Sequence, residues 1–461
     1  MSDNVSSLVD HIYSEGKFGR PVSTEVLTMP RKGFGPRPVT IVSPLIRTLY
    51  NALSDFLFDA VGSERRSRES WREHDAFGVP KDSSEEEFYL VDVDIASCYE
   101  YIDHESLASQ IAMHTSQIEV VKSLTDLLHE IMGKPRGLPQ MSSQSDALAD
   151  IYLGSLEREI VRRGYRASRM ADDFKIIAKS WTDANNVIEA AAESARAMGL
   201  VLSTEKTNIR RSPTVLGSSQ KEAQFLNEHF DMARTPTVSL IWNPYEDPET
   251  FEVTPDDEEV IRRAFWFIVR EWVEKSPEDT SMHASYLGIA LTLLRTHVER
   301  LENDSLTEIV FRIPLRLESV CRYILGRPEE VEENWQSLEA LTSMGRQSAW
   351  AKIWLLNTGN RLHRPKNGSP RWFTEWAAQQ ISDRHEVVRS EAAWVLSGLR
   401  QITAQNLSDL YSSATSLTRP AIAAAVGRSK APEKSQLVQA IVRESSLTKP
   451  AYQWGARHGS Q

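Results

Sequence analysis

The sequence predicts an α+β domain built on a small antiparallel sheet, followed by an all-α domain. Three observations lead there. From about residue 31 to 240 helical periodicity alternates with short β-rich runs. After the turn-rich Asn243-Pro244-Tyr245-Glu246-Asp247-Pro248 no convincing strand remains and helix follows helix to the C-terminus. At 461 residues the chain is too long for one ordinary core. The division falls between 1–245 and 246–461.

Residues 1–30 are polar, with one short amphipathic helix candidate from Val5 to Tyr13. Apolar residues at helical spacing mark Ile46–Val61, Ser106–Met113, Ile118–Met132 and Thr182–Met198. Strand candidates are Val39–Val42, Phe88–Asp94, Arg166–Met170, Phe174–Ala178 and Thr237–Trp242. Further on, helices are expected at Glu258–Lys275, Ser281–Leu301, Ser305–Leu325, Glu330–Thr342 and Trp372–Ile381.

Composition narrows the class. Cys98 and Cys321 cannot make a disulfide framework or a structural zinc site, which suits a reducing, cytoplasmic setting. No apolar run approaches ~20 residues and the N-terminus has no h-region, so neither a membrane span nor a signal peptide is expected. Net charge is −11, and residues 1–250 carry 27 Lys+Arg against 38 Asp+Glu. A grip on long duplexes needs basic charge, so a short or enclosed nucleic-acid footprint is expected. Local basic patches remain at Arg65-Arg66-Ser67-Arg68 and Arg162-Arg163.

The chemistry-bearing stretch is Arg169-Met170-Ala171-Asp172-Asp173-Phe174, two carboxylates at the turn between two apolar runs. Upstream, Leu90-Val91-Asp92-Val93-Asp94-Ile95 also ends an apolar strand in acid. Three carboxylates from a strand end and a hairpin turn can hold two Mg²⁺ ions, which clamp the oxygens of an in-line phosphoryl transfer. A lone Asp-Asp pair is more often a solvated turn. The order of the surrounding segments is what distinguishes this one. Asp92 competes with Asp94, since period-two alternation puts both on one strand face.

That order resembles the reverse transcriptases. Asp94-Ile95-Ala96-Ser97-Cys98-Tyr99, an Asp followed five residues later by an aromatic, is similar to the first palm motif. Gly137-Leu138-Pro139-Gln140-Met141-Ser142 resembles the second, Ala171-Asp172-Asp173-Phe174 the catalytic hairpin, and Gly199-Leu200-Val201-Leu202-Ser203-Thr204-Glu205-Lys206 the fourth. Gln224-Phe225-Leu226 resembles the start of the primer grip, and Lys32-Gly33-Phe34-Gly35-Pro36-Arg37 with Arg47 the triphosphate-binding fingers.

The resemblance implies a fingers–palm fold with Asp94, Asp172 and Asp173 as ligands of two Mg²⁺ ions, or Mn²⁺. The aromatic spacing selects Asp94 over Asp92, because Ser97 stands five residues after Asp92. Tyr99 would gate the sugar against a ribose 2′-hydroxyl, favouring dNTP substrates. Lys32 and Arg37 would clamp the triphosphate. Gln140 would touch nucleotide or template, and Lys206 would protonate the departing pyrophosphate. Two positions depart from the family pattern. Met170 stands where an aromatic is usual. Met141 stands where a Gly commonly follows the Gln, which puts ordinary template copying in question.

Asp383–Leu396 and Arg419–Val426 resemble helices of HEAT-type repeats. A fingers–palm unit joined directly to a helical repeat resembles the bacterial defence-associated, abortive-infection type of reverse transcriptase. The function implied is a magnesium-dependent, RNA-directed DNA polymerase, with or without a template, acting against phage. It would extend a nucleic-acid 3′-hydroxyl or a hydroxyl of the protein itself. Its expected partners are the DNA product, a non-coding RNA and further copies of the chain in a homo-oligomer. Protein priming would use one of Tyr13, Tyr50, Tyr245, Tyr286, Tyr411 or Tyr452. The alternatives are an element-borne or housekeeping enzyme copying RNA, and a catalytically idle palm whose helical repeats serve as a scaffold.

Overall fold

A computed structural model describes residues 22–31, 35–61, 66–81, 86–230, 258–275, 281–345, 347–432 and 434–458. Lys32, the Val5–Tyr13 helix candidate, the Thr237–Trp242 strand candidate, Arg65, Tyr13 and Tyr245 lie outside these residues. The chain divides into two compact units, Arg47–Val253 and Met1–Ile46 together with Thr254–Gln461. The units divide after Ile46 and after Val253, because the N-terminal hairpin packs with the helical unit.

The sheet unit holds a four-stranded antiparallel sheet in the order β4-β5-β3-β6. Its strands are β3 (Tyr89–Asp94), β4 (Arg166–Met170), β5 (Asp173–Ala178) and β6 (Asn208–Arg211). β3 is central and buries Leu90, Val91 and Val93, as expected of a strand covered on both faces. The helices of this unit are α1 (Pro44–Val61), α2 (Arg68–Ala76), α3 (Cys98–Tyr101), α4 (His104–Ala112), α5 (Ile118–Met132), α6 (Ser143–Arg162), α7 (Trp181–Ala197) and α8 (Ser212–Phe230). Ser180 caps α7 by accepting from the Asp183 amide, and Gly133 ends α5 in the left-handed conformation that glycine tolerates best. α6 packs behind the β4–β5 hairpin, with Leu148, Tyr152, Leu153 and Leu156 buried.

In the other unit β1 (Thr24–Pro30) pairs antiparallel with β2 (Pro36–Val42). β1 is not among the strand candidates of the sequence; its polar residues hide the strand signal, because it is held by contacts made elsewhere in the unit. Glu25 of β1 accepts from the amides of Glu386 and Val387 at 2.9 and 3.0 Å and faces His385 Nδ1 at 3.1 Å. It thus caps the N-terminus of a helix more than 360 residues away in sequence.

The helices of that unit run α9 (Glu258–Glu274), α10 (Ser281–Leu293), α11 (Asn303–Arg312), α12 (Leu317–Leu325), α13 (Val331–Thr342), α14 (Ala349–Arg361), α15 (Arg371–Gln379), α16 (Glu386–Leu399), α17 (Ala404–Ser413), α18 (Arg419–Arg428), α19 (Gln436–Glu444) and α20 (Thr448–His458). The helix expected over 305–325 is broken at Pro314, which cannot continue an α-helical ladder. α10, α12, α14, α16, α18 and α20 each pack on the next in that row, and a second row flanks them. α18 and α20 touch backbone to backbone: a side chain on Gly427 would collide with Tyr452 O, and one on Gly455 with Ala424 O. No helix among the described residues is long and apolar enough to cross a membrane.

Candidate active site

β3 and β5 are registered so that Asp94 lies opposite Asp173. The Ile95 amide donates to Asp172 O at 3.3 Å, holding the turn of the β4–β5 hairpin against the end of β3. The turn itself requires Ala171 at φ +56°, a conformation unfavourable for a residue with a side chain. One strand end and one hairpin thus bring the three expected carboxylates together.

The segment around Gly199–Lys206 lies along the other side of Asp94. Ala96 N donates to Val201 O at 2.8 Å and Ser203 N to Asp94 O at 2.7 Å. The following turn delivers Lys206, whose Nζ donates to Asp94 Oδ1 at 2.7 Å while the side chain stays 66% exposed. Burial works to lower the Lys206 pKa, but the Asp94 carboxylate more than offsets it, so the lysine is firmly cationic. Asp92, the competing acid, is instead held by Arg210 in a bidentate pair at 2.8 and 3.0 Å.

The carboxylates crowd one another. Asp172 is raised above the usual carboxylate range by burial first and then by Asp94. Asp173 is pushed up to about 7 by withdrawal from water, by Asp172 and by its hydrogen bond to Asp94. Hard oxygen donors whose ionisation is suppressed by one another fit a divalent cation, which would relieve the repulsion. Among the described residues no three Asp, Glu, His or Cys side chains converge in the geometry that holds an ion. In this arrangement the Lys206 ammonium supplies the local positive charge.

The second motif is stitched to the first through its backbone. Leu138 N donates to Tyr99 O at 2.7 Å and Gly137 N to Ile102 O at 2.8 Å. Gly137, at φ +98°, comes close enough that a Cβ would meet Glu100 O at 3.3 Å. His104 is buried and bonds Gly137 O at 2.7 Å through Nε2; burial lowers its pKa, so it serves as a neutral donor. Asp103 is the cap, accepting from Ser106 N at 2.8 Å. Gln140 is buried just beyond this loop, and Met141 follows at φ +66°. The departure from glycine therefore falls on a backbone position that favours glycine.

Tyr99 is half-buried, and its hydroxyl donates to Asp146 Oδ1 at 2.5 Å. Tyr101 is 44% exposed, with the Arg136 guanidinium 5.1 Å over its ring. Sequence reasoning missed the network behind Tyr99. Arg66 lies 3.4 Å from the Tyr99 hydroxyl and pairs with Asp150 at 2.8 and 3.0 Å. Arg169 then joins Asp150 at 2.6 Å to Glu157 at 2.8 Å. The available signal was Asp146 and Asp150, one turn apart on a helix whose neighbours Ala147, Leu148 and Ala149 are buried.

Arg37 sits on β2 opposite Met29, in the other unit, and Arg47 is exposed on the first turns of α1. Gln224 and Phe225 lie on α8. Of the tyrosines considered for priming, Tyr50, Tyr286 and Tyr411 are buried. Tyr50 bonds Ser145 Oγ at 2.8 Å.

Residues 29–229 match the family model described as reverse transcriptase (RNA-dependent DNA polymerase). No curated protein sequence matches the chain. Among solved structures, apo telomerase from Candida tropicalis truncated at its C-terminal domain is similar at 15% identity and TM-score 0.31, covering 45% of this chain and 54% of that one. This chain thus spans about half the length of that structure. Telomerase from the same organism in complex with a TWJ fragment of telomeric RNA is similar at 11% identity and TM-score 0.33, covering 90% and 68%. The corresponding Candida albicans complex is similar at 11% identity and TM-score 0.30, covering 74% and 70%.

Proposed function

We propose that the chain is a divalent-metal-dependent DNA polymerase of reverse-transcriptase type that acts in bacterial defence against phage. The observation that carries the polymerase reading is the Asp94–Asp173 register, with Asp172 beside it and Lys206 bonded to Asp94. Asp94, Asp172 and Asp173 would hold Mg²⁺ or Mn²⁺, which when bound activates the attacking hydroxyl and neutralises the leaving pyrophosphate. Lys206, a cation beside Asp94, is the proton donor for pyrophosphate. Tyr99, fixed by Asp146, closes the space for a 2′-hydroxyl, and Gln140 contacts nucleotide or template. Arg37 and Lys32 bind the triphosphate.

The defence role rests on the polymerase domain being joined to a large helical unit, which we read as a HEAT-like repeat serving self-assembly into a homo-oligomer. The next-but-one packing of its helices supports a repeat. Left-handed Met141 at the template turn supports synthesis that needs little external duplex, primed by a protein tyrosine.

The test is incubation of purified protein with each dNTP alone and mixed, with Mg²⁺ or EDTA and with or without RNA template, followed by sequencing of the product. Incorporation that requires Mg²⁺ and is lost in Asp94→Asn supports the reading. Wild-type incorporation by Asp94→Asn would overturn the site. Phage plating on cells carrying either form tests the defence role, and labelled DNA that runs free of protein without protease treatment would rule out protein priming.

A further inference from the structure

The helical unit is strongly polarised in charge. Residues 251–350 carry 11 Lys+Arg against 19 Asp+Glu, and residues 351–461 carry 15 against 7, so the two stretches differ in sign at −8 and +8. Along one row of helices, from the end of the acidic stretch through the basic one, guanidinium and aromatic groups alternate. Arg322 of α12 lies 5.7 Å over the ring of Trp354 on α14. Arg428 of α18 lies 4.1 Å over Trp394 on α16. Trp394 stacks on Trp454 of α20 at 5.1 Å and 23°, and Trp454 stacks on His458 at the same spacing and angle.

Core packing does not account for this series. Trp272 and Trp335 are each 3% exposed, whereas Trp454 is 49% exposed and still held parallel to its neighbours. Like charges are also brought together. Arg428 is lowered by burial and then by Arg364, and Arg322 by burial and then by Arg361. Glu318 pairs with Arg322 at 2.7 Å and Glu391 lies near Arg428, so the inner guanidiniums are partly compensated. Arg361 and Arg364 are exposed and have no carboxylate within ion-pair distance among the described residues; Arg364 reaches only Gly398 O at 3.5 Å. Gly398 keeps the space through which the Arg428 guanidinium passes, since a side chain there would collide with it.

We propose that this face binds a single-stranded nucleic acid, with bases continuing the Trp394–Trp454–His458 stack at its exposed end and phosphates held by Arg361 and Arg364. Planar rings accept any base, and exposed guanidiniums accept the backbone between bases. An unpaired strand offers both chemistries at once; a duplex hides its base faces, and an acidic protein has no use for an exposed stacked indole. The inference concerns a surface outside the polymerase domain and holds whether or not that domain polymerises.

The test measures binding of fluorescein-labelled oligo(dT), oligo(U) and a DNA duplex to the full chain without dNTPs, by anisotropy across a range of salt. Arg361→Glu with Arg364→Glu changes only exposed positions and should weaken both oligonucleotides at least tenfold. Its salt dependence should be shallower by about 0.7 for each phosphate no longer neutralised. Trp454→Ala should reduce the quench of intrinsic fluorescence on binding. Comparing oligo(dT) with oligo(U) identifies the preferred sugar. The proposal is overturned if both variants, natively folded by circular dichroism, bind like wild type with the same salt slope. It is equally overturned if poly-glutamate competes as well as the oligonucleotides, which would make the face an acidic-protein surface.

Discussion

Two paired acids of the helical unit and two crowded acids of the sheet unit shift in opposite directions. In the helical unit Glu330 pairs with Arg327 at 2.6 Å and also with Arg300, and its carboxyl is held below the usual range, chiefly by Arg327. Asp383 accepts from Lys352 Nζ at 2.5 Å and from the His385 amide at 2.8 Å. Burial works to raise its pKa, but these donors more than offset it. At the end of the sheet the direction reverses: Asp172 and Asp173 are raised, by burial and by neighbouring acids. Acids that hold a fold together are matched within it. Acids left to repel one another await a charge from outside the chain.

The comparison breaks most sharply by removing acids from each side. Asp172→Ala with Asp173→Ala should abolish nucleotide incorporation while leaving the melting temperature unchanged or higher, because a repulsion is removed. Glu330→Ala should do the reverse. It strands Arg327, only 5% exposed, beside Arg300, and should cost about 3 kcal/mol or more of stability. Incorporation per folded molecule should persist. Labelled-dNTP incorporation set beside thermal melts of both variants decides between the two behaviours.

pH sharpens the same contrast without divalent ions. A raised carboxyl pKa means the folded state binds more protons than the unfolded state. Stability from Asp173 is therefore present below about pH 4, the ordinary Asp value, and is lost as pH rises through about 7. Asp383, lowered, contributes stability above its unfolded pKa that is lost as pH falls through its folded value. Melting curves of Asp173→Asn should thus lose the decline between pH 5 and pH 8 that wild type shows, and added Mg²⁺ should restore wild type at pH 8. Asp383→Asn should flatten only the acid limb. Identical pH profiles for wild type and Asp173→Asn would remove the crowding argument.

Much of the site is legible in the sequence because it is local. Strand patterning places Asp94 at a strand end, and the strand candidate Arg166–Met170 has the limits of β4. The five-residue spacing to Tyr99 selects Asp94 over Asp92, and Asp92 is in fact tied to Arg210. What escapes the sequence depends on partners distant along the chain. β1 is anchored through Glu25 to a helix near residue 386. Arg66 looks like part of a basic surface patch and instead pairs with Asp150 behind Tyr99. Here burial would lower the arginine's pKa, but Asp150, Tyr99 and Asp146 outweigh it. The exposure of Tyr101 is not legible either, because a one-turn helix is too short for periodicity to assign its face.

That network permits a test of smaller effect. Tyr99→Ala should open the space beneath the sugar and raise ribonucleotide use relative to dNTPs by about 10- to 100-fold. Asp146→Asn, which keeps an acceptor for the Tyr99 hydroxyl, should raise it far less. Competition between labelled rNTP and dNTP measures both, and an unchanged preference in Tyr99→Ala would take the ring out of the gate.

The smallest expected effect concerns the backbone. Among the described residues of the sheet unit, the non-glycine residues at positive φ are Ser97, Met141 and Ala171, one in each segment that builds the site. The helical unit has Arg400 and Lys430 instead, both at helix ends, where a left-handed residue closes the last turn. Strain therefore gathers at the sheet site for a different reason: it aims side chains rather than ending a helix. A left-handed L-residue costs about 1–2 kcal/mol, whereas glycine adopts the conformation freely but loses more chain entropy on folding. Met141→Gly should accordingly stabilise the sheet unit by no more than ~1 kcal/mol, a rise of about 2–4 °C in its melting transition. Should the same variant also extend a primer on added RNA template more readily than wild type, the Met141 side chain is what crowds the template. A rise in melting temperature with no change in template use would confine Met141 to backbone strain.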